Sequence, residues 1–174
     1  MNYSRFEKCG LYDPANEHDS CGIGFVANIK GRKSHDIIKR GLEVLERMTH
    51  RGAEGADNKT GDGSGIMMQI PHSFYAEEIK ELPSAGEYGA GLVFFPQDEN
   101  DREKCREILE KTLHDEGLRI IAWRKISIES SVIGDIARRS EPVIEQIFAG
   151  KDSDKNINLE LKLFIARKVA ERFV

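Results

Sequence analysis

Between a helix-like pattern and a run of β-type apolar residues lies His50-Arg51-Gly52-Ala53-Glu54-Gly55-Ala56-Asp57-Asn58-Lys59-Thr60-Gly61-Asp62-Gly63-Ser64-Gly65, with five glycines and almost no apolar mass. A loop of that length inside a compact domain is either functional or unstructured. Any fold for this chain must therefore raise periodic elements on both sides of it and keep the loop near water. Upstream, Ile23, Phe25, Ala27 and Ile29 alternate with Gly22, Gly24 and Asn28, which predicts a strand. Glycines weaken a strand, so Gly22 and Gly24 predict a close approach by another backbone or a ligand. Ser34 is placed to cap a helix with Asp36 in its first turn; its apolar stripe is Ile37, Ile38, Leu42, Leu45 and Met48, and it ends near Thr49-His50.

Downstream of the loop, Ile66 to Ile70 predicts a strand closed by Pro71, followed by a short helix from Ser73 and a strand from Tyr88 to Phe95. A helix follows, with Asn100 as cap, Glu103 three residues on, Cys105, Ile108, Leu109, Thr112 and Leu113 on one stripe, and Gly117 as the stop. Leu118 to Ser127 alternates as a strand, and Ile133 to Arg139 reads as a short helix interrupted before Pro142. Val143 to Phe148 fits strand or helix equally, and Leu159 to Phe173 is helical. Strands separated by amphipathic helices predict an α and β sandwich, without fixing whether neighbouring strands run parallel.

Composition narrows the function classes. The 174 residues carry 26 basic and 30 acidic side chains, a net charge of −4, with the basic residues scattered among acids. That offers no clustered positive field for nucleic acid or an anionic membrane. No apolar stretch approaches the roughly 18 to 20 residues of a membrane span, and the N-terminus lacks the basic start and apolar run of a secretory signal. Three cysteines, Cys9, Cys21 and Cys105, cannot all pair within the chain, which points to a reducing cytoplasm.

Cys21 is the first chemical candidate. A thiol at a glycine-lined strand edge is open to substrate, whereas the alternative is a small buried hydrophobe. The glycine loop fails as a calcium loop, because Lys59 and Gly61 stand where oxygen ligands belong. It also lacks the Gly-Lys-Ser/Thr ending of a phosphate-binding loop. Cys9, His18 and Cys21 are too irregularly spaced for a metal site, and no metal is expected. His35, His50 and His72 are each eligible as a base, with nothing local to select one. Arg51, next to Gly52, suits carboxylate or carbonyl binding, and equally a solvated helix end.

Taken together, Asp19-Ser20-Cys21-Gly22-Ile23-Gly24-Phe25, Gly41-Leu42-Glu43-Val44-Leu45-Glu46-Arg47-Met48, His50-Arg51-Gly52-Ala53, the loop from Ala56 to Ile66 and Ser140 to Phe148 closely resemble the start of the glutaminase domain of the glutamate synthase large subunit. That family belongs to the class II glutamine amidotransferases. The resemblance implies an α+β fold of the N-terminal-nucleophile hydrolase type: an αββα sandwich of mostly antiparallel sheets, incomplete here, with Val143 to Phe148 as strand. It implies a propeptide over residues 1–20 and the N-terminal portion of the amidotransferase domain over residues 21–174. It casts Cys21 as catalytic nucleophile, its freed α-amine as the base, and Arg51 with Gly52 as the substrate-binding or site-ordering pair. Glutamine is then the substrate. The ammonia released aminates 2-oxoglutarate in a synthase part, in the same or a separate chain, that holds FMN and an iron–sulfur cluster; this chain is expected to hold neither cofactor.

One departure bears on activity. The family draws an oxyanion hole from an Asn-Gly pair, and no asparagine in this chain precedes a glycine. Loss of oxyanion donors costs on the order of a hundredfold to a thousandfold in rate, so the isolated chain is expected to be inactive. The alternative expectation is a free-standing, catalytically incomplete domain with a binding or regulatory role.

Overall fold

The computed structural model describes residues 22–49, 52, 57, 59–61, 63–152 and 157–174. It divides into two units, residues 1–68 and 69–174. The expected propeptide lies outside the described residues, as do Cys21 and Arg51.

In the first unit, α1 spans His35–Arg47. Ser34 occupies the N-cap with extended backbone, but its hydroxyl makes no capping bond, contrary to expectation. Its carbonyl instead accepts from the Ile37 N–H at 3.3 Å. Ion pairs Asp36–Arg40 and Glu43–Arg47 run along the solvent side, each adding only a few tenths of a kcal/mol (~0.3–0.5). Ile37, Ile38, Val44, Leu45 and Met48 are half-buried, while Leu42 is exposed.

The strand expected at Ile23 to Ile29 is absent: residues 22–28 make no strand pairing. The period-two pattern is nevertheless physical. A Cβ on Gly24 would lie 2.5 Å from Val44 Cγ1, so this side of the segment lies against α1. Ile23, Phe25 and Ile29 are exposed, Phe25 at 91%. Alternation supplies two faces, but a strand also needs a neighbour for its N–H and C=O groups; among the described residues this segment has none. The strand expected at Ile66 to Ile70 is missing for the same reason. Ile66 Cδ1 approaches Gly41 so closely that a Cβ there would sit 2.9 Å away, while Met67 is 98% exposed.

The second unit has a three-stranded sheet. After α2 (His72–Glu78) come β1 (Tyr88–Phe95), α3 (Glu99–Asp115), β2 (Leu118–Lys125), the single turn α4 (Asp135–Arg138), β3 (Val143–Lys151) and α5 (Leu159–Ala170). The order is β1-β3-β2, with β3 antiparallel to both neighbours. Val143 to Phe148, ambiguous by periodicity, is thus part of the central strand. Its near-continuous burial erases the alternation that marks a half-buried strand. The cap of α3 is Asp98 rather than Asn100: its carboxylate accepts from the Asp101 N–H at 3.0 Å. Gly117 ends α3 as expected, with a φ of 77° that an L side chain adopts only with strain. Asn158 caps α5 by accepting from the Leu161 N–H at 3.1 Å.

Helices α3 and α5 cover one face of this sheet, where Leu113, Leu118, Ile147, Ala149, Leu159 and Ala166 form the core. On the other face, α2 brings Tyr75 against Tyr88 and Phe148, the last fully buried. A bulge between Ile120 and Ala122 turns Ile121 and Ala122 toward that same second cluster.

Candidate functional site

The structure brings together the flanks of the expected site rather than its reacting atoms. Gly24, three residues after Cys21, is pinned to α1 by the Val44 approach. At the other end of α1, Thr49 Oγ donates to the Glu46 carbonyl at 2.6 Å, and the Gly52 N–H donates to the Thr49 carbonyl at 3.1 Å. Gly52 is exposed, and a Cβ there would meet that carbonyl at an ordinary 3.5 Å. Cys21 and Arg51 lie outside the described residues, so no distance between them enters the geometry. One helix therefore organises the segments that lead to both: Val44 seats the segment after Cys21, and the C-terminal turn receives Gly52.

Further along the loop, Asp57 acts as a local template. Its Oδ1 accepts from the Lys59 N–H at 3.2 Å and from the Thr60 N–H at 2.7 Å, and its Oδ2 accepts from Thr60 Oγ1 at 2.7 Å. This is an Asx turn, in which a carboxylate replaces the backbone acceptor of a regular turn. It gives Asp57 and Thr60 structural work in the glycine loop.

The second unit holds charge networks that periodicity did not reveal. The Arg106 guanidinium lies 4.3 Å from the Trp123 ring centroid and 5.2 Å from that of Phe95, and donates to Glu145 Oε2 at 2.7 Å. Glu145 is a buried carboxylate on the central strand, and this pairing accounts for it. Trp123 Nε1 donates to Glu110 at 2.8 Å. On the opposite face, Arg124 bonds Glu78 at 2.5 Å and Gln146 at 3.4 Å, and Gln146 Nε2 donates to the Tyr75 hydroxyl at 2.9 Å. The charge-assisted bond to Glu78 holds the Arg124 pKa above its ordinary value. Tyr88, in contact with His72 Nδ1 at 3.2 Å, has its phenol pKa raised, chiefly by burial and then by neighbouring Tyr75.

An open cleft of about 510 Å³ lies between β2, β3 and the N-terminal end of α3, lined by Arg102, Lys125, Glu141 and Glu145 among apolar neighbours. Its lining contains no cysteine, serine or histidine. Arg102 donates to the Gln97 carbonyl at 3.2 Å, and Gln97 donates to the Glu141 carbonyl at 2.8 Å, so these groups tie α3 to β3. Among the described residues there is no cluster of three or more potential metal ligands, and no helix long and apolar enough to cross a membrane.

Comparison with known proteins agrees with the motif pattern. Residues 21–174 match the family Glutamine amidotransferases class-II. The chain belongs to that family. Within it, the chain is similar to the glutamate synthase [NADPH] large chain of Bacillus subtilis, 42% identical over 99% of this chain and 12% of that protein. It is similar also to the glutamate synthase [NADH] of Saccharomyces cerevisiae, 38% identical over 94% of this chain and 8% of that protein. A third relative, the ferredoxin-dependent glutamate synthase 1 of Arabidopsis thaliana, is 36% identical over 98% of this chain and 11% of that protein. The chain thus spans about a tenth of the length of these relatives. Mixed helices and an antiparallel sheet accord with the α+β class expected.

Proposed function

We propose that this chain carries the nucleophile-bearing part of a glutaminase that supplies ammonia to glutamate synthesis. The observation that carries the reading is the family match, which begins at Cys21 and runs through residue 174. Removal of Met1 to Ser20 frees the α-amine of Cys21, whose pKa near 8 suits a general base at neutral pH. The amine takes the thiol proton, and the thiolate adds to the side-chain amide carbon of glutamine. The resulting ammonium returns the proton to the departing nitrogen, releasing ammonia and leaving a glutamyl thioester that water hydrolyses to glutamate. Arg51, beside Gly52, orders the substrate at the edge of this centre.

The first unit supports an αββα arrangement. Its segments set one side against α1 and leave the other side apolar and bare at Ile23, Phe25, Ile29 and Met67; a sheet in the middle of a four-layer sandwich has a helix on one face and a second sheet on the other. In the whole protein, ammonia passes to a synthase part that adds it to 2-oxoglutarate. FMN and an iron–sulfur cluster would supply the reducing electrons there.

Because the chain has no Asn-Gly oxyanion pair, the 174-residue polypeptide alone should release ammonia from glutamine at least about a hundredfold more slowly than a longer polypeptide that carries one. A glutaminase assay on both, with Cys21→Ala and Arg51→Ala made in the longer one, tests the reading. Cys21→Ala should abolish turnover and Arg51→Ala should raise KM. Undiminished turnover by Cys21→Ala refutes the nucleophile assignment.

A further inference from the structure

The two edges of the sheet are built differently. β2 carries Arg119, Arg124 and Lys125 and is broken by the bulge at Ile120 and Ala122, devices by which an edge strand resists pairing. β1 reads Tyr-Gly-Ala-Gly-Leu-Val-Phe-Phe, has no charged residue, and pairs with β3 in unbroken register from Tyr88 to Phe95. Leu92 and Phe94 stand exposed on it, at 53% and 62%. A regular, uncharged strand is the design of an interior position.

Topology identifies the occupant. β1 and β2 are both antiparallel to β3, so they run parallel to each other, and α3 carries the chain from one to the other across the position that β3 fills. β3 leads into α5, which packs on the same face of the sheet as α3. Crossovers between parallel strands are right-handed. Since β3 runs opposite to β1 and both helices lie on one face, a right-handed crossover through α5 moves in the opposite direction, past β1. The helix already leans that way: Leu163 meets Gly89 of β1 so closely that a Cβ there would lie 2.5 Å from Leu163 Cδ1. Phe164, 54% exposed, lies on the flank of α5 turned away from Lys162, which pairs with Glu116 at the end of α3.

We infer that the outer edge of β1 receives a fourth strand, antiparallel to it and contributed by polypeptide following α5 in a longer protein. The product is a βαββαβ plait of two interleaved split βαβ units, with the added strand outside β1 and β2 remaining the true edge. The strand that fits is apolar on both faces, one set of side chains packing under α5 beside Phe164 and the other beside Leu92 and Phe94. Such a strand reads as a short continuous apolar run of about four to eight residues. The inference rests on sheet topology and edge chemistry, independently of the glutaminase reading.

Amide hydrogen exchange, resolved to individual β1 residues, tests it in the 174-residue chain and in the longest natural polypeptide that contains this sequence, with sedimentation of both. About half of the β1 N–H groups point away from β3. Those amides should exchange at least about tenfold more slowly in the longer polypeptide, while outward-facing amides of β2 stay fast in both. Unchanged exchange along β1, or new protection along β2 instead, overturns the inference. So does full protection of β1 in a 174-residue chain that sediments as a dimer and loses that protection on dilution, for then a second copy takes the edge.

Discussion

Residues 22–68 and residues 69–174 both carry short apolar runs of strand type, yet among the described residues only the second stretch pairs them into a ladder. In the second, Phe148 is fully buried between Tyr75 and Tyr88, and Ile147 and Ala149 are buried on the opposite face. In the first, Phe25 and Met67 stand almost wholly in water and no α1 residue is fully buried. Period two encodes the faces of a strand, whereas neighbours decide whether a ladder forms. β3 has a partner on each side; the segments flanking α1 have a helix on one side only.

Substitutions in each region test this contrast. Phe148→Ala removes the ring at the centre of the second cluster and should cost about 3–5 kcal/mol, read as a lower urea midpoint; a loss below about 1 kcal/mol would mean the cluster collapses to fill the space. Gly24→Val forces a side chain into Val44 and should cost about 1–3 kcal/mol. Amide exchange of α1 reads that loss, and the additional change Val44→Ala should restore most of it. No rescue would show that the segment does not lie against the helix.

Alkaline titration addresses the second unit alone. Burial raises the Tyr88 pKa above 10. The folded state therefore holds the phenolic proton more tightly, a contribution fully present below the unfolded pKa of about 10 and lost as pH rises through the folded value. Stability should fall above pH 10 with a slope of up to about 1.4 kcal/mol per pH unit for one proton, and Tyr88→Phe should flatten it. An unchanged slope in the variant assigns the loss elsewhere. Smallest of all, Phe25→Ser should shift the stability of the 174-residue chain by less than about 0.5 kcal/mol. A large loss would show that Phe25 is covered in solution.

Much of the second unit is legible in the sequence because its signals are local. Tyr88 to Phe95 is a strand-length uncharged run, Gly117 stops a helix, and Leu159 onward keeps a helical stripe. Asp98 caps α3 although Asn100, two residues on, is an equally good acceptor, because only backbone geometry chooses between them. The pairs Arg106–Glu145 and Tyr75–Gln146 join residues 39 and 71 positions apart, a separation at which no periodicity reports. In the candidate site, Gly24 predicts a close approach by a backbone or a ligand, and the group that approaches is instead the Val44 side chain. The roles of Cys21, Arg51 and Gly52 came from motif resemblance instead, since chemistry at a chain terminus leaves no periodic trace.

Intact-mass analysis of the longest natural polypeptide containing this sequence, before and after exposure to an alkylating glutamine analogue, tests whether Cys21 is the processed nucleophile. The expected result is a chain that begins at Cys21, having lost Met1 to Ser20, and takes up one analogue on that cysteine. A chain that keeps Met1 to Ser20, or one labelled equally when Cys21 is replaced by alanine, would contradict it.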